Sequence, residues 1–273
     1  MIRLSRVMAA AAGACALVVL SSVPARAQYG RPMMSDPATG EKFHVEAAII
    51  LWNPNLEAVV SSESLGIVGT EIDVKSDLQF EDKTLREFRF VLRPARKHKF
   101  RIAYLPVSYD SDVMLERRIV FNGIAFDVGL PVQSELEWNT WRLGYQYDFV
   151  SRDRVTAGFI LEARLTDASL DLRSPIDDEF SEARGPLPGI GGVVRVYPAK
   201  NFAITGEITG FKIPEIDGYE GNLFDIDISG TYNFTNNIGV TGGFRSLDIG
   251  YIAEDDNGDL TLKGLYFGAV ARF

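Results

Sequence analysis

The chain has 273 residues, of which 46% are hydrophobic and 24% are charged, and its formal net charge is −9. This composition is that of an ordinary globular protein, and it excludes long disordered chains and collagen-like repeats. The acidic balance argues against a nucleic-acid binder, because recognition of phosphates needs a basic surface. We therefore expect no nucleic-acid partner.

The first 27 residues have the three-part pattern of a secretory signal peptide. Arg3 and Arg6 form a positive region, an apolar run covers 7–20, and small residues at 25 and 27 form a cleavage site. The apolar run is shorter than the ~20 residues that a membrane-spanning helix needs. We expect cleavage after Ala27, which also removes Cys15, the one cysteine of the chain. Residues 28–41 are then predicted to be a flexible segment, and 42–273 a single domain.

Beyond this segment the dominant signal is the alternation of apolar and polar residues, which predicts β-strands with two different faces. Around 223–235, for example, Phe224, Ile226 and Ile228 alternate with Asp225 and Asp227. The pattern predicts ten strands, at 43–52, 84–94, 99–121, 124–149, 154–172, 188–198, 201–213, 222–234, 237–252 and 259–273. The count depends on 53–80, because a further hairpin there would give twelve.

The predicted connections differ in length between the two ends of the strands. Several are short and polar, whereas 53–83, 174–187 and 214–222 are longer. Asn122-Gly123 and Asn257-Gly258 predict tight hairpin turns. Short turns at one end and long loops at the other are typical of outer-membrane barrels. The extra length of the third and fourth strands predicts a twisted ribbon that projects beyond the membrane.

The last strand carries apolar residues at every second position and ends on an aromatic residue. These residues are Leu265, Phe267, Ala269, Ala271 and Phe273. The ending resembles the C-terminal assembly signal of outer-membrane proteins. With the signal peptide and the alternating strands, the chain resembles the small Gram-negative outer-membrane β-barrel proteins, a broad class that includes the outer membrane protein A-like and W-like barrels.

The resemblance implies an all-β fold in which 42–273 form a closed antiparallel transmembrane barrel of about ten strands, within a range of eight to twelve. Both termini, and with them the flexible segment 28–41, are then periplasmic. It also implies location in the outer membrane, contact with outer-membrane lipids and lipopolysaccharide, and assembly by the barrel-assembly machinery. A soluble β-sandwich or a lipocalin-like barrel is the alternative, because alternation alone does not distinguish inside from outside. Charged residues on the polar faces and aromatic residues near strand ends favour the membrane barrel.

If the apolar faces meet lipid, the polar faces point into the lumen. The residues predicted there are Glu46, Glu87, Arg89, Arg93, Arg101, Arg142, Gln146, Glu162, Arg164, Arg195, Glu207, Asp225, Asp227, Arg245 and Arg272. One interpretation is a salt-bridged plug, in which four arginines (Arg89, Arg142, Arg164, Arg195) face four acids (Glu87, Glu162, Glu207, Asp225). The other is the constriction of a small channel. The narrow bore of a ten-stranded barrel favours the plug.

The sequence predicts no catalytic, metal or cofactor site. His44 and His98 are the only histidines and lie at the predicted periplasmic end, whereas catalysis on external substrates needs a base in the outer half. No Gly-x-Ser-x-Gly motif is present, and 255–259 lacks the spacing of a calcium loop. We expect a structural or surface-interaction role. The alternatives are a narrow passive channel and, with less support, a lipid-modifying enzyme.

Overall fold

The computed structural model describes residues 36–273 apart from 63–68, 176–177, 217–218 and 254–255. The described residues form thirteen strands: β1 (Val45–Ser62), β2 (Ile72–Asp73), β3 (Leu85–Ala95), β4 (His98–Met114), β5 (Ile119–Phe121), β6 (Ile124–Phe126), β7 (Pro131–Ser151), β8 (Val155–Arg173), β9 (Asp178–Ala199), β10 (Phe202–Ile216), β11 (Tyr219–Asn233), β12 (Ile238–Ala253) and β13 (Asp256–Arg272). In this part of the chain no helix is long and apolar enough to cross a membrane.

Ten of the strands form a closed antiparallel barrel. Their order is β1-β3-β4-β7-β8-β9-β10-β11-β12-β13, and β13 pairs with β1 along the whole length of both strands. Strand β2 pairs only with two residues of β1, and β5 and β6 form a separate hairpin. The predicted ten-stranded barrel is confirmed. The described part of 53–80 supplies the end of β1 and the short β2 rather than two further barrel strands.

The two ends of the barrel differ. One end carries the β3–β4, β7–β8, β9–β10 and β11–β12 turns together with residues 36–44 and Phe273; we call it the terminal end. The opposite end, which we call the loop end, carries the two long connections, β1 to β3 and β4 to β7. These connections include the β2 segment and the β5–β6 hairpin.

The outward face changes from apolar to polar at one level on seven of the ten barrel strands. On β1, Ile49 and Leu51 are about half exposed on the outside, and the next outward positions towards the loop end are Asn53, Asn55 and Glu57. Register aligns the same change on neighbouring strands. The last apolar outward residues form a band that we call the boundary ring: Leu51, Phe88, Tyr104, Trp141, Leu165, Phe244 and Leu265.

The inward face changes in the opposite sense at the same level. On the terminal side of the boundary ring, inward residues such as Glu87, Arg142 and Arg164 are charged and buried. On the loop side, Trp52 and Leu56 belong to a continuous hydrophobic core inside the barrel. Burial of apolar surface drives such packing. The loop-end half is therefore organised like a water-soluble barrel, and the other half like a membrane barrel.

This reversal explains why several predicted strand ends were wrong. The strand predicted at 43–52 continues to Ser62, because apolar residues move from the outward to the inward face beyond Leu51. The predicted long connections 174–187 and 214–222 are mostly strand, since β8 pairs with β9 up to Arg173 and Asp178. The predicted ribbon is also wrong, because the barrel as a whole, rather than two strands, extends beyond the ring.

The two predicted tight turns have different outcomes. Asn122 and Gly123 have positive φ values of 47° and 82°, as a two-residue hairpin turn requires, and they join β5 to β6. The predicted strands 99–121 and 124–149 are therefore each interrupted, at 115–118 and 127–130. The turn predicted at Asn257-Gly258 is wrong, because both residues lie within β13.

Candidate functional site

The centre of the lumen holds a network of charged side chains on the terminal side of the boundary ring. Its members, which we call the central network, are Glu87, Arg89, Arg101, Arg142, Glu162, Arg164, Glu207, Asp225, Asp227 and Arg245. Arg164 lies 2.6 Å from Asp225 and 2.7 Å from Glu162. Arg245 lies 2.8 Å from Asp225 and 3.1 Å from Glu87. The alternation of each strand places these side chains inside, since their neighbours in sequence face outwards.

Several of these ion pairs cross the lumen. Arg101 on β4 lies 2.7 Å from Glu207 on β10, and Arg89 on β3 lies 3.1 Å from Asp227 on β11. Neither pair joins neighbouring strands. Tyr266 also donates a 2.5 Å hydrogen bond to Asp227. Side chains from opposite walls therefore meet and close the bore at this level.

The central network can tolerate burial because its charges are matched. An isolated buried charge is costly, whereas paired and hydrogen-bonded charges persist in protein interiors. Thr209 adds a further contact, since its hydroxyl lies 3.2 Å from a carboxylate oxygen of Glu162. One donor is left over: Nη1 of Arg101 is buried and has no hydrogen-bond partner among the described residues.

A hydrophobic layer closes the lumen on the loop side of the central network. Inward residues of the strands pack there against the two long connections. From the β1–β3 connection, Leu78 and Phe80 are at most 2% exposed, and from the β5–β6 hairpin, Phe121 and Phe126 are fully buried. The connections are also tied to each other, because the Thr70 backbone N–H donates to the Val120 carbonyl at 2.8 Å.

A third layer lies at the terminal end, where residues 36–44 cross the mouth of the barrel; we call this segment the terminal cap. The backbone N–H of Ala38 donates to the carbonyl oxygen of Asp153 in the β7–β8 turn. That of Thr39 donates to the carbonyl oxygen of Lys200 in the β9–β10 turn. Ala38 and Glu41 are 2% and 3% exposed. The predicted signal peptide over 1–27 and the first part of the predicted flexible segment 28–41 lie outside the described residues, and 38–41 have hydrogen-bond partners in the turns and in Arg93.

Glu41 is the centre of the contacts of the terminal cap. It accepts a hydrogen bond from the Tyr197 hydroxyl and lies 3.3 Å from Arg93 and 3.5 Å from Arg195. Burial would raise the pKa of Glu41, but the positive charges of Arg195, Lys99 and Arg93 and the Tyr197 hydrogen bond outweigh it and lower that pKa to about 2. Glu41 is thus a carboxylate at all physiological pH values.

Between the central network and the terminal cap lies a cavity of about 110 Å³. Charged side chains of the barrel wall line it, among them Lys99, Arg101, Arg195 and Glu207. A smaller cavity of about 30 Å³ lies in the loop-end half beside Trp138. The larger cavity has room for several water molecules.

The predicted lumen residues occupy two places. Ten of them form the central network, whereas Glu46 pairs with Arg272 at 2.5 Å and Arg195 pairs with Glu41, both nearer the terminal end. Arg195 therefore does not face any of the four predicted acids. Arg93 and Gln146 are also buried, with Arg93 against Glu41 and Gln146 donating to Asp148 at 2.6 Å.

Sequence reasoning missed three buried charged residues of the barrel interior. Lys99 and Asp148 form a buried ion pair at 2.9 Å, and alternation from Arg101 and Gln146 could have found both. Glu41 gave no such signal, because it precedes the first strand. In the residues that the structure describes, no group of three or more potential ligands is placed to hold a metal ion.

The C-terminal apolar residues lie on the outside of β13. Leu265 and Phe267 are 60% and 65% exposed. Phe273 follows the strand and its backbone bonds to Val45. Both histidines lie at the terminal end, where His44 Nδ1 is 3.3 Å from the Arg93 carbonyl and His98 Nδ1 is 2.6 Å from the Tyr145 hydroxyl.

Neither a protein-family model nor a curated protein matches the sequence. Solved structures do match the fold. The outer membrane protease OmpT from Escherichia coli superposes with a TM-score of 0.56 at 11% identity, covering 84% of this chain and 96% of that one. Neisserial surface protein A covers 84% and 97% at 15% identity (TM-score 0.36), and the outer membrane protein AlkL covers 89% and 95% at 9% identity (TM-score 0.36). The chain has the fold of the small outer-membrane β-barrels, as its sequence pattern predicts.

Proposed function

We propose that this protein is an integral outer-membrane barrel that does not conduct, and that its loop-end half is a rigid extracellular platform with a structural or surface-interaction role in the cell envelope. The observation that carries the proposal is the opposite change of polarity on the two faces of the barrel at the boundary ring. The proposed membrane orientation puts the apolar exterior of the terminal half in lipid, the terminal end in the periplasm and the loop end outside the cell.

Three closed layers support the absence of conduction. The hydrophobic layer and the central network fill the bore with side chains from different walls, and the terminal cap crosses its mouth. A water-filled pathway would need all three to open. Breaking the central network alone would leave buried charges without partners, which is costly.

A non-enzymatic role is supported by the positions of the histidines. His44 and His98 lie at the terminal end, away from any external substrate. OmpT is a protease, but its likeness to this chain at 11% identity is a likeness of fold.

Single-channel recording tests the proposal. Protein that is heat-modifiable on gels and that floats with lipid vesicles is reconstituted into planar bilayers. We expect insertion without current steps for the starting protein and for the control Glu57→Gln, a change on the outer surface. Stable steps that Arg142→Ala or Glu162→Ala alters would overturn the sealed lumen.

A narrow channel for ions or small polar solutes is the second candidate. The charged cavity of about 110 Å³ favours it, because such a space could be one part of an aqueous pathway. This candidate requires the terminal cap, the central network and the hydrophobic layer all to open. It therefore predicts current steps in the starting protein that become larger when residues 36–41 are removed, whereas the sealed barrel predicts no steps in either protein.

A further inference from the structure

Three basic side chains form a cluster on the rim of the terminal end. Arg96 and Lys97 lie in the β3–β4 turn and Arg152 lies in the β7–β8 turn, and all three are exposed. The two turns are joined, because Arg96 Nε donates to the Ser151 hydroxyl at 3.2 Å and Asp148 N–H donates to the Lys97 carbonyl at 2.8 Å. The three cations are therefore held on one side of the barrel.

The cluster is not neutralised by ion pairs. Among the described residues, the ion pairs include none made by Arg96, Lys97 or Arg152. Two nearby acids are paired with other cations: Asp148 is buried and pairs with Lys99 at 2.9 Å, and Asp36 pairs with Lys200 at 2.6 Å. The positive charge of the rim is thus available to an external anion.

A group of outward aromatic residues of β4, β7 and β8 lies beside the cluster. We call it the aromatic platform: Phe100, Tyr145, Tyr147, Phe149 and Phe159. The rings of Phe100 and Tyr145 are 5.5 Å apart, and those of Tyr147 and Phe159 are 5.6 Å apart. His98 contacts the Tyr147 ring edge-on at 5.2 Å, and Lys97 Nζ lies 5.9 Å from the centre of the same ring.

Cations on the rim and aromatic rings beside them on the outer wall match the two parts of a phospholipid at the membrane surface, its charged headgroup and its acyl chains. Aromatic residues prefer the level of the lipid headgroups, and basic residues at that level attract anionic headgroups. The loop end offers the opposite charge, since Asp110, Asp112, Glu135 and Glu137 lie on the outside of β4 and β7 beyond the boundary ring. Only the terminal end of this side therefore complements an anionic lipid.

We propose that Arg96, Lys97 and Arg152, together with the aromatic platform, bind the headgroup of an anionic phospholipid of the periplasmic leaflet. The proposal rests on the membrane orientation given above. It adds a defined lipid site on one side of the barrel, whereas general embedding in lipid would involve all ten strands equally.

Quenching by brominated lipids tests this site. The chain from residue 28 is folded into mixed vesicles of phosphatidylcholine and phosphatidylglycerol. In one set of vesicles the phosphatidylcholine is dibrominated near the headgroup end of its acyl chains, and in the other set the phosphatidylglycerol is. Phe149→Trp provides a reporter on the platform and Trp141→Phe removes the outward tryptophan. Trp52 and Trp138 stay inside the barrel, at 1% and 7% exposure.

We expect phosphatidylglycerol to be enriched at the reporter by about fivefold, the contribution of one basic side chain near an anionic surface. The change R96Q/K97Q/R152Q should abolish the enrichment. The matched change K75Q/R118Q/R173Q removes three exposed cations of the loop end and should leave the enrichment unchanged. Gel mobility before and after heating verifies that each variant is folded.

Equal quenching by the two lipids in the starting protein would overturn the lipid site, and so would enrichment that survives R96Q/K97Q/R152Q. Both results leave the membrane orientation intact, since the reporter still contacts lipid. Absence of quenching by either lipid would contradict the orientation itself, and the site with it.

Discussion

At the scale of single residues, the terminal cap depends on one buried carboxylate. Glu41 joins the segment before β1 to Arg93 on β3 and to Arg195 and Tyr197 on β9. These contacts favour its charged form, so its pKa falls from 4.5 to about 2 on folding. A group whose pKa is lowered on folding stabilises the folded state at pH values above its unfolded pKa and loses this effect as the pH falls.

Glu41→Gln is therefore expected to destabilise the barrel in a pH-dependent way. The difference in the free energy of unfolding between the starting protein and the variant should be full above about pH 5 and should shrink towards pH 2. Urea titrations of detergent-folded protein at pH 3, 4 and 6 measure it. Glu57→Gln, on the exposed face of β1, is the control. A difference that stays constant with pH would contradict the ionic role of Glu41.

Arg164 is the most enclosed cation of the central network, with 1% of its side chain exposed. Arg164→Met leaves the carboxylates of Glu162 and Asp225 without this partner, and removing one member of a buried pair costs ~3–5 kcal/mol. Arg173→Met, at the exposed loop end of the same strand, should change stability by no more than about 1 kcal/mol. Urea unfolding in lipid vesicles compares the two variants, and equal effects would argue against a structural role of the network.

At the scale of the strand, the outer face of a single strand such as β1 has an apolar part and a polar part. On β1, Ile49 lies on the terminal side of the boundary ring and Asn55 lies beyond it. A lysine on the lipid face of a barrel costs ~2–4 kcal/mol near the middle of the membrane and little near its surface. The same substitution should therefore have different effects at two positions of one strand.

Ile49→Lys is expected to reduce the fraction of protein that folds into phosphatidylcholine vesicles, whereas Asn55→Lys is expected to leave it unchanged. Gel mobility without heating gives the folded fraction of both variants. Because both side chains point outwards from β1, changes in lumen packing do not affect the comparison. Equal folding of the two variants would place the lipid boundary elsewhere.

The strands also show how much of the architecture the sequence could predict. Alternation located all ten barrel strands and the central network, because inward and outward residues differ in polarity on the terminal side of the ring. Their ends were less predictable, because the apolar residues change faces at the ring. The run 49–52 marks this change on β1, since both faces are apolar there, and 102–105 marks it on β4. Such runs could serve as a signal in other barrels.

At the scale of the whole molecule, the contacts that close the terminal end were not predictable. Glu41 and Tyr197 are 156 positions apart in the chain, and they meet only because the barrel is closed. The packing of the β1–β3 connection against the β5–β6 hairpin likewise depends on the completed barrel. Local patterns predict faces and periods, whereas these contacts require knowledge of which walls are opposite each other.

The molecule as a whole combines a half that has an apolar exterior and a charged interior with a half that has a polar exterior and an apolar interior. Strand β7 passes through both. Its outward residues on the terminal side include Trp141, Leu143 and Phe149, and those beyond the ring include Glu135 and Glu137. A scan of spin labels along β7 reports the two environments directly, because a chain that starts at residue 28 has no native cysteine.

Single cysteines at outward positions 133–149 of β7 are spin-labelled in vesicles, and their accessibility to oxygen and to a water-soluble nickel complex is measured. We predict high oxygen and low nickel accessibility at 141, 143, 145 and 149, and the reverse at 133, 135 and 137. The change should fall between 139 and 141. Lipid exposure along the whole of β7, or water exposure throughout, would contradict the two-part barrel.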